Sequence, residues 1–234
     1  MNKGKLYLIP SPLGDGNPAD VLPASLLAML PQLQCYVVEE ERTARRFLSA
    51  AGLKGHIQEL EFHTLNEHTP ASEVESLLKL FDGRSVGLIS EAGLPAVADP
   101  GARLVALCHS HGIEVVPFAG PSSLMMALMS SGLDGQSFAF VGYIPAKTEE
   151  RRSALRSLEK KSLHQSQILI ETPYRNDSLL ADMLSVLSPG TMLCIAANIT
   201  CEDQFIRTLP ISLWKKQQGF TIGKRPCVFI IQAR

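Results

Sequence analysis

Short apolar segments alternate with longer helix-like segments along the first half of this 234-residue chain. The apolar segments are continuous, which is typical of parallel strands covered on both faces of a sheet. Strands that alternate with helices indicate parallel βαβ units. Residues 1–117 are therefore predicted to form an α/β domain with a mostly parallel sheet. Its predicted strands cover 5–9, 35–38, 85–90 and 113–116, and its predicted helices cover 25–30, 72–80 and 101–111, with Ser72 and Glu75 spaced as a capping box.

A second α/β domain is predicted for residues 118–234. Phe118-Ala119-Gly120-Pro121 interrupts the pattern, and the net charge changes from −5 before this segment to +4 from it onward. The later strands have short connections, so we expect a mixed sheet. The predicted helices cover 122–131, 147–160 and 177–187, and the predicted strands cover 138–142, 167–171, 191–197, 203–209 and 226–232.

Composition and charge exclude several classes of protein. With 45% hydrophobic and 19% charged residues, the chain does not have the composition of a disordered protein. A net charge of −1 argues against binding nucleic acid through bulk charge alone, although residues 147–161 are rich in Lys and Arg. No apolar run approaches the ~18 residues of a membrane helix. We therefore expect no membrane span, no secretory leader and a cytoplasmic location.

Cysteine and histidine spacing gives no indication of a metal centre. The five cysteines include no CxxC pair and are predicted to be scattered thiols in a reducing compartment. His63 and His68 lack the HExxH spacing, so we expect no bound metal. The chain contains neither a P-loop nor a GxSxG motif, which argues against phosphate cradling of that kind and against an ordinary serine hydrolase.

The segments that follow the predicted strands carry most of the candidate chemistry, because open parallel sheets bind ligands at the carboxyl ends of their strands. Residues 90–101 form a loop of small residues, Gly and Pro, which allows its backbone to approach a ligand closely. Asp99 precedes Pro100 and is predicted to be a structural helix cap. The run Glu39-Glu40-Glu41-Arg42 after the second strand has two interpretations. Its acidic residues begin a helix whose dipole they favour, or the run forms an acidic and basic rim that can orient a substrate or accept a proton.

Six motifs, taken in order, resemble the tetrapyrrole (corrin/porphyrin) methylase superfamily. The nearest branch methylates ribose 2′-hydroxyl groups of small-subunit rRNA, and the resemblance covers nearly the whole chain. The motifs are Leu6-Tyr7-Leu8-Ile9-Pro10-Ser11-Pro12-Leu13-Gly14, Glu39-Glu40-Glu41-Arg42, residues 90–101 with the pattern S-[DE]-A-G-x-P-x-x-x-D-P-G, Gly120-Pro121-Ser122-Ser123-Leu124, residues 138–147, and Glu171-Thr172-Pro173-Tyr174-Arg175.

The resemblance implies two α/β domains with a cofactor cleft between them, a homodimer, and S-adenosyl-L-methionine as cofactor. Carried over by position, the cofactor contacts it implies are Pro12, Ala92, Gly93, Leu94, Val97, Ser122, Ser123, Thr172, Ile199, Pro226 and Cys227.

Methyl transfer to a ribose hydroxyl requires a positioned acceptor and benefits from a general base. Glu39 and Glu40 are the candidate bases because they follow a strand. Phosphate groups of RNA or of a ribosomal subunit would be held by cations, and the candidates are Arg42, Lys147 and Arg175.

Two alternatives stay open. The chain departs from the rRNA branch at Ala197-Asn198-Ile199-Thr200-Cys201, where that branch carries charged residues. The chain is predicted to be an S-adenosylmethionine-dependent methyltransferase that acts on rRNA. The first alternative is that its methyl acceptor is a small molecule such as a tetrapyrrole. The other alternative is a catalytically silent module that binds the cofactor or the ribosome.

Overall fold

The computed structural model describes residues 3–233. The chain divides into two compact units, Met1–Ser122 and Ser123–Arg234. This division lies five residues after the boundary predicted from the change in charge. Each unit is built around its own sheet, and the two sheets differ in strand direction.

Within residues 3–122, the structure describes a five-stranded sheet with the order β3-β2-β4-β1-β5. All of its strand pairs are parallel, which confirms the predicted parallel sheet. The strands are β1 (Leu6–Ile9), β2 (Cys35–Val38), β3 (Glu61–Thr64), β4 (Val86–Ile89) and β5 (Val115–Pro117). The helices are α1 (Pro18–Val21), α2 (Ala24–Met29), α3 (Glu41–Leu48), α4 (Ala71–Ser76) and α5 (Gly101–Ser110), with shorter turns at Leu30–Gln32, Ser49–Leu53, Ile57–Glu59 and Leu77–Phe81.

Strand β2 shows why a continuous apolar segment forms the centre of this sheet. Cys35 and Val37 face one hydrophobic cluster, whereas Tyr36 and Val38 face another. All four side chains are fully buried. Both faces of the strand are therefore covered, as the absence of alternation predicted.

Two local predictions for this unit differ from the structure. The capping box at Ser72 is wrong: α4 begins after Pro70, whose extended backbone precedes the first turn, and no side chain caps it. The helix ends at Ser76 and tightens into the turn Leu77–Phe81. Strand β3 was not predicted, because only Phe62 in this edge strand is strongly apolar.

Within residues 123–233, the structure describes a second five-stranded sheet with the order β6-β7-β10-β8-β9. The pair β6·β7 is parallel and the other pairs are antiparallel, which confirms the predicted mixed sheet. The strands are β6 (Phe138–Gly142), β7 (Ser166–Ile170), β8 (Met192–Ala197), β9 (Phe205–Pro210) and β10 (Cys227–Gln232). The helices are α6 (Ser123–Ser131), α7 (Thr148–Lys161), α8 (Asn176–Val186) and α9 (Ile211–Trp214), with a turn at Pro173–Arg175.

Helix α7 carries the Lys- and Arg-rich run, but two of its cations are structural. Arg151 is buried and donates from Nε to Asp182 Oδ2 of α8 at 2.7 Å. Arg152 donates to the other oxygen of the same carboxylate, also at 2.7 Å. Burial opposes ionisation of Asp182, but the hydrogen bonds from Arg152 and Arg151 outweigh it and lower the pKa of this carboxyl. The pair therefore locks α7 against α8.

None of the described helices has both the length and the apolar character needed to cross a membrane.

Candidate functional site

The strand order of the first sheet gathers three loops at one edge. Strand β4 pairs with both β1 and β2, and all three run in the same direction. The loops that follow them, 10–17, 39–40 and 90–100, therefore meet at the carboxyl edge of the sheet, where ligands of such sheets bind. The candidate residues Pro12, Glu39 and Glu40 lie in two of these loops.

A short backbone bridge joins the loop after β1 to the loop after β4. Ser11 N–H donates to the Gly93 carbonyl at 3.0 Å, and Gly93 N–H donates to the Ser11 carbonyl at 3.1 Å. Gly93 has a φ of 76°, and an added Cβ would lie 3.2 Å from Leu13 Cδ2 and 3.3 Å from the Pro121 carbonyl oxygen. The positive φ favours glycine at this position, and an added Cβ would be tightly packed.

The remainder of the loop after β4 keeps an unusual backbone. Ala96 and Ala98 have φ angles of 66° and 61°, a region that residues with a Cβ rarely adopt. Asp99 Oδ1 accepts a hydrogen bond from Gly101 N–H at 2.7 Å, which fastens the end of the loop to the start of α5. Burial raises the pKa of Asp99 despite this bond. Asp99 is therefore structural, but the predicted N-cap is wrong: α5 begins at Gly101, and the capping position is Pro100 rather than Asp99.

A cavity of about 240 Å³ lies at this edge. Residues between Ser11 and Pro18 form one wall, and Glu91 and Ala92 form another. The third wall consists of Thr43, Arg46, Phe47 and Ala50, which come from α3 and the turn that continues it. These four were not predicted as site residues. Their i, i+3, i+4, i+7 spacing places them on one face of a helix. This spacing is the sequence signal that could have identified them.

The two candidate bases occupy different environments. Glu39 is half-buried, and its Oε2 accepts a hydrogen bond from Glu91 N–H at 3.3 Å. Burial is the largest cause that raises the pKa of Glu39. Glu40 is exposed, and its Oε1 caps α3 by accepting from Arg42 N–H at 3.0 Å. Glu40 therefore has a structural task, whereas Glu39 is the acid whose ionisation is perturbed.

The second sheet gathers another group of candidate residues at one of its edges. Strands β7 and β8 both pair antiparallel with β10, so their carboxyl ends lie beside the amino end of β10. Asn198 N–H donates to the Pro226 carbonyl at 2.9 Å, and Cys227 pairs with Ala197. This edge brings together the predicted contacts Thr172, Ile199, Pro226 and Cys227.

The altered segment 197–201 has a constrained backbone. Asn198 and Thr200, which flank Ile199, have φ angles of 47° and 72°. The Asn198 amide donates to both carboxylate oxygens of Asp203, at 2.8 and 2.9 Å. A β-branched residue in this region of φ is a genuine outlier, and such outliers cluster at functional sites.

The remaining cofactor candidates lie in the loop after β4 and at the division between the units. Leu94 and Val97 belong to that loop, and Val97 is exposed. Ser122 is the last residue of the first unit, and Ser123 is the first residue of α6.

The three candidate phosphate-binding cations differ in availability. Arg42 is exposed, and within residues 3–233 its guanidinium has no ion-pair or hydrogen-bond partner. Lys147 is exposed and lies 3.3 Å from Glu150. Arg175 donates twice to Glu171 Oε1, at 3.0 and 2.6 Å, and it is partly exposed. Arg42 and Lys147 are thus the more accessible charges.

One group of side chains in the first unit has metal-binding residue types. The potential ligand atoms of Cys35, Glu61 and His63 lie within 4.8 Å of one another. The Glu61 carboxylate, however, is held by Arg84 at 2.5 Å and by His63 at 2.6 Å. Burial raises the pKa of Cys35 to about 11, which disfavours the thiolate that a metal requires. The expectation of no metal stays a prediction.

Comparison with known proteins identifies relatives of the chain. Residues 5–213 match the family model described as Tetrapyrrole (Corrin/Porphyrin) Methylases. The chain is 31% identical over 220 residues to ribosomal RNA small subunit methyltransferase I of Escherichia coli O157:H7, covering 92% of this chain and 73% of that protein. The protein of the same name from Halalkalibacterium halodurans is 33% identical over 231 residues, which cover 98% and 76% of the two chains.

Solved structures support the same fold. The uroporphyrin-III C-methyltransferase of Thermus thermophilus, solved in complex with S-adenosyl homocysteine, superposes with a TM-score of 0.56 at 15% identity. The match covers 98% of this chain and 97% of that protein. At this identity the likeness concerns the fold alone. The match to the family model over most of the chain goes further: the chain belongs to the tetrapyrrole (corrin/porphyrin) methylase family of methyltransferases.

Proposed function

We propose that this chain is an S-adenosylmethionine-dependent methyltransferase that modifies a ribose 2′-hydroxyl of small-subunit rRNA. The observation that carries the proposal is the 31–33% identity to small-subunit rRNA methyltransferases over nearly the whole chain. The bridged loops at the carboxyl edge of the first sheet support it, because they build a cavity where this fold class binds its ligand.

The residues at this edge fit a nucleoside cofactor. Small side chains at Ala92, Gly93, Ala96 and Ala98 leave backbone groups of the loop within reach of a ligand. The cavity is smaller than the ~300–1,000 Å³ pockets that enclose whole ligands of drug size, so it suits one part of such a molecule. When bound, S-adenosylmethionine supplies an electrophilic methyl group.

The cofactor would be held by the residues that the family resemblance implies. In the first unit these are Pro12, Ala92, Gly93, Leu94, Val97 and Ser122, and in the second unit Ser123, Thr172, Ile199, Pro226 and Cys227. Pro12 and Ala92 line the cavity, which supports their assignment.

Glu39 is proposed as the general base. Its raised pKa brings the carboxylate nearer to the pH at which it must accept a proton, and its Oε2 is oriented by Glu91 N–H. Glu40 is not proposed for this role, because its carboxylate caps α3. Arg42, Lys147 and Arg175 are proposed to hold RNA phosphates. The chain is also proposed to act as a homodimer.

Methylation of a small molecule remains the second candidate. The specific observation in its favour is the fold shared with a uroporphyrin-III C-methyltransferase over 98% of the chain. A catalytically silent module is the third, and it rests on the loss of charged residues in 197–201.

Two measurements test the proposal in sequence. Calorimetric titration with S-adenosylmethionine and S-adenosylhomocysteine should give binding of both at about micromolar concentration. Labelled methyl transfer to small ribosomal subunits, followed by mapping of the modified nucleotide, should then locate a ribose 2′-O-methyl group. Absence of cofactor binding in a folded sample would contradict the methyltransferase assignment. Binding without transfer to subunits or rRNA, but with transfer to a tetrapyrrole, would establish the second candidate. Binding without transfer to any acceptor would favour the silent module.

A further inference from the structure

An aromatic ring stands exposed beside a lysine in the second unit. Tyr174, in the turn after β7, is 80% exposed. Lys224, in the loop before β10, places its Nζ 5.2 Å from the centroid of the Tyr174 ring. An exposed cation–π pair of this kind is weak and leaves most of the ring in water. This weak contact therefore does not explain why the chain leaves the Tyr174 ring exposed to water.

The support beneath Tyr174 is rigid. Arg175 N–H donates to the Thr172 carbonyl at 2.9 Å, which closes the turn. The Arg175 guanidinium is fastened to Glu171, whose side chain is fully buried. The turn that carries the ring is thus fixed by a backbone hydrogen bond and by the contact between Arg175 and Glu171.

The loop that carries Lys224 is pinned to the start of α8. The Asp177 carboxylate accepts from Ile222 N–H at 2.7 Å and from Gly223 N–H at 3.1 Å. The buried Asn176 donates from Nδ2 to the Arg225 carbonyl at 2.8 Å. Lys224 lies between these attachment points, so its backbone is fixed next to the turn of Tyr174.

The position of this pair connects it to the proposed site. Tyr174 is two residues from Thr172, and Lys224 is two residues from Pro226, both proposed cofactor contacts at the same edge of the second sheet. Residues 118–234, which contain this edge, carry a net charge of +4. A preorganised aromatic face with an adjacent cation is the chemistry that receives an unstacked base and its phosphate.

We propose that Tyr174 and Lys224 form a stacking platform for an unpaired nucleotide of the RNA substrate, close to the nucleotide that is methylated. This inference rests on the proposed function and names the form of RNA that the site takes. The ring stacks on a base, and the ammonium group pairs with a phosphate of the same strand. An RNA held in this way must be single-stranded at the platform, because a paired base does not expose its face.

The test compares Tyr174→Ala with Tyr174→Phe in methyl transfer to small ribosomal subunits. Loss of base stacking should raise the KM for subunits about tenfold in Tyr174→Ala, while kcat and S-adenosylhomocysteine affinity stay within about twofold. Tyr174→Phe keeps the ring and should retain the KM of the wild-type protein. Lys224→Ala should raise KM less and reduce the dependence of affinity on salt.

Matched controls come from the same unit. Phe138 is an exposed ring at the start of β6, at the opposite edge of the sheet, and Phe138→Ala should leave the KM unchanged. Lys161→Ala removes an exposed charge at the end of α7 and should have little effect.

Three outcomes would overturn the platform. The first is an unchanged KM in Tyr174→Ala. The second is an equal loss in Tyr174→Phe, which would assign the effect to the hydroxyl group. The third is a loss with intact subunits alongside unchanged binding of a labelled single-stranded oligoribonucleotide, which would assign the ring to a ribosomal protein. If the unmodified chain transfers no methyl group to subunits, the proposed function fails, and oligoribonucleotide binding by Tyr174→Ala still decides the platform.

Discussion

The carboxyl edges of the two sheets are stabilised in different ways. In the first sheet, the loops are joined by backbone hydrogen bonds between Ser11 and Gly93, and the side chains along 92–98 are small or apolar. In the second sheet, side chains add to the backbone bond between Asn198 and Pro226: Glu171, Asn176 and Asp177 each bond a neighbouring segment. The loops of the first sheet leave room for a ligand beside their backbone, whereas those of the second are fixed by side chains, of which Glu171 and Asn176 are buried.

The charges at the two edges also differ. The first edge carries the acids Glu39 and Glu91, and the second presents Arg175, Lys224 and Arg225. Carboxylates suit proton acceptance, and cations suit a phosphate backbone. In the proposed function, the first unit supplies the general base and one of the phosphate-binding cations, and the second unit supplies the other cations that hold RNA. The following predictions probe the charged groups and the loops of the two units.

The largest effect is expected where the second unit depends on a buried charge pair. Asp182→Asn leaves Arg151 buried without its carboxylate, and it should lower the free energy of unfolding by about 3–5 kcal/mol. Denaturant titration measures this loss. Glu149→Gln alters an exposed partner of Arg152 at 3.6 Å and should change stability by less than about 1 kcal/mol. Equal effects of the two variants would contradict the structural role of the buried pair.

The next effect concerns proton transfer at the first edge. Glu39→Gln should lower kcat about 100-fold while leaving the affinity for S-adenosylhomocysteine nearly unchanged, because only the base is lost. Glu40→Gln weakens the cap of α3 and should leave kcat within about threefold. Single-turnover transfer and calorimetry separate the two results. Loss of cofactor binding in Glu39→Gln would make Glu39 a binding residue instead.

A smaller effect is expected from a single methyl group in the bridged loop. Gly93→Ala forces a Cβ into a φ of 76°, which costs about 1–2 kcal/mol, and it crowds Leu13 and Pro121. Cofactor affinity, measured by calorimetry, should fall about tenfold. Gly190→Ala adds a Cβ that meets no atom within 4 Å, and it should bind the cofactor normally. Normal binding by Gly93→Ala would show that the bridge does not shape the site.

The smallest effect concerns an exposed ion pair in the first unit. Hydrogen bonds from Arg84 and then His63 lower the pKa of Glu61 from 4.5 to about 2. A lowered pKa in the folded state stabilises the fold above pH 4.5, and this stabilisation is lost as the pH falls towards 2. Glu61→Gln should therefore be destabilised by at most about 1 kcal/mol at pH 7. In denaturant titrations, the difference should shrink as the pH falls below 4.5, and a constant difference would contradict the assignment.

The fold was largely predictable because most strands of both sheets are continuous apolar segments. The predicted strand 35–38 coincides with β2, and 138–142 coincides with β6. The edge strand β3 was not predicted, because a strand that is largely exposed to solvent needs few apolar residues. The bounds of helix α3 were not predicted, because most of its residues are charged or polar. Its face at Thr43, Arg46 and Phe47 nevertheless lines the cavity.

The candidate site was predictable in position but not in detail. The rule that ligands meet the carboxyl ends of parallel strands located the loops. It did not distinguish Glu39 from its neighbour Glu40, because burial and capping depend on how α3 packs. Tyr174 and Lys224 are fifty residues apart, and the contact between them depends on the pins from Asn176 and Asp177.

The strand order of the first sheet has a consequence for how the chain acquires its structure during synthesis. Strand β1 pairs Leu6 with Val86 and with Val115, so its partners are translated long after it. At about 5–20 residues per second, β1 waits roughly 4–16 s for β4 to be synthesised. An apolar segment that is synthesised well before its partners is exposed to aggregation until they follow. Production of this protein should therefore respond more to translation speed and chaperone supply than its final stability suggests.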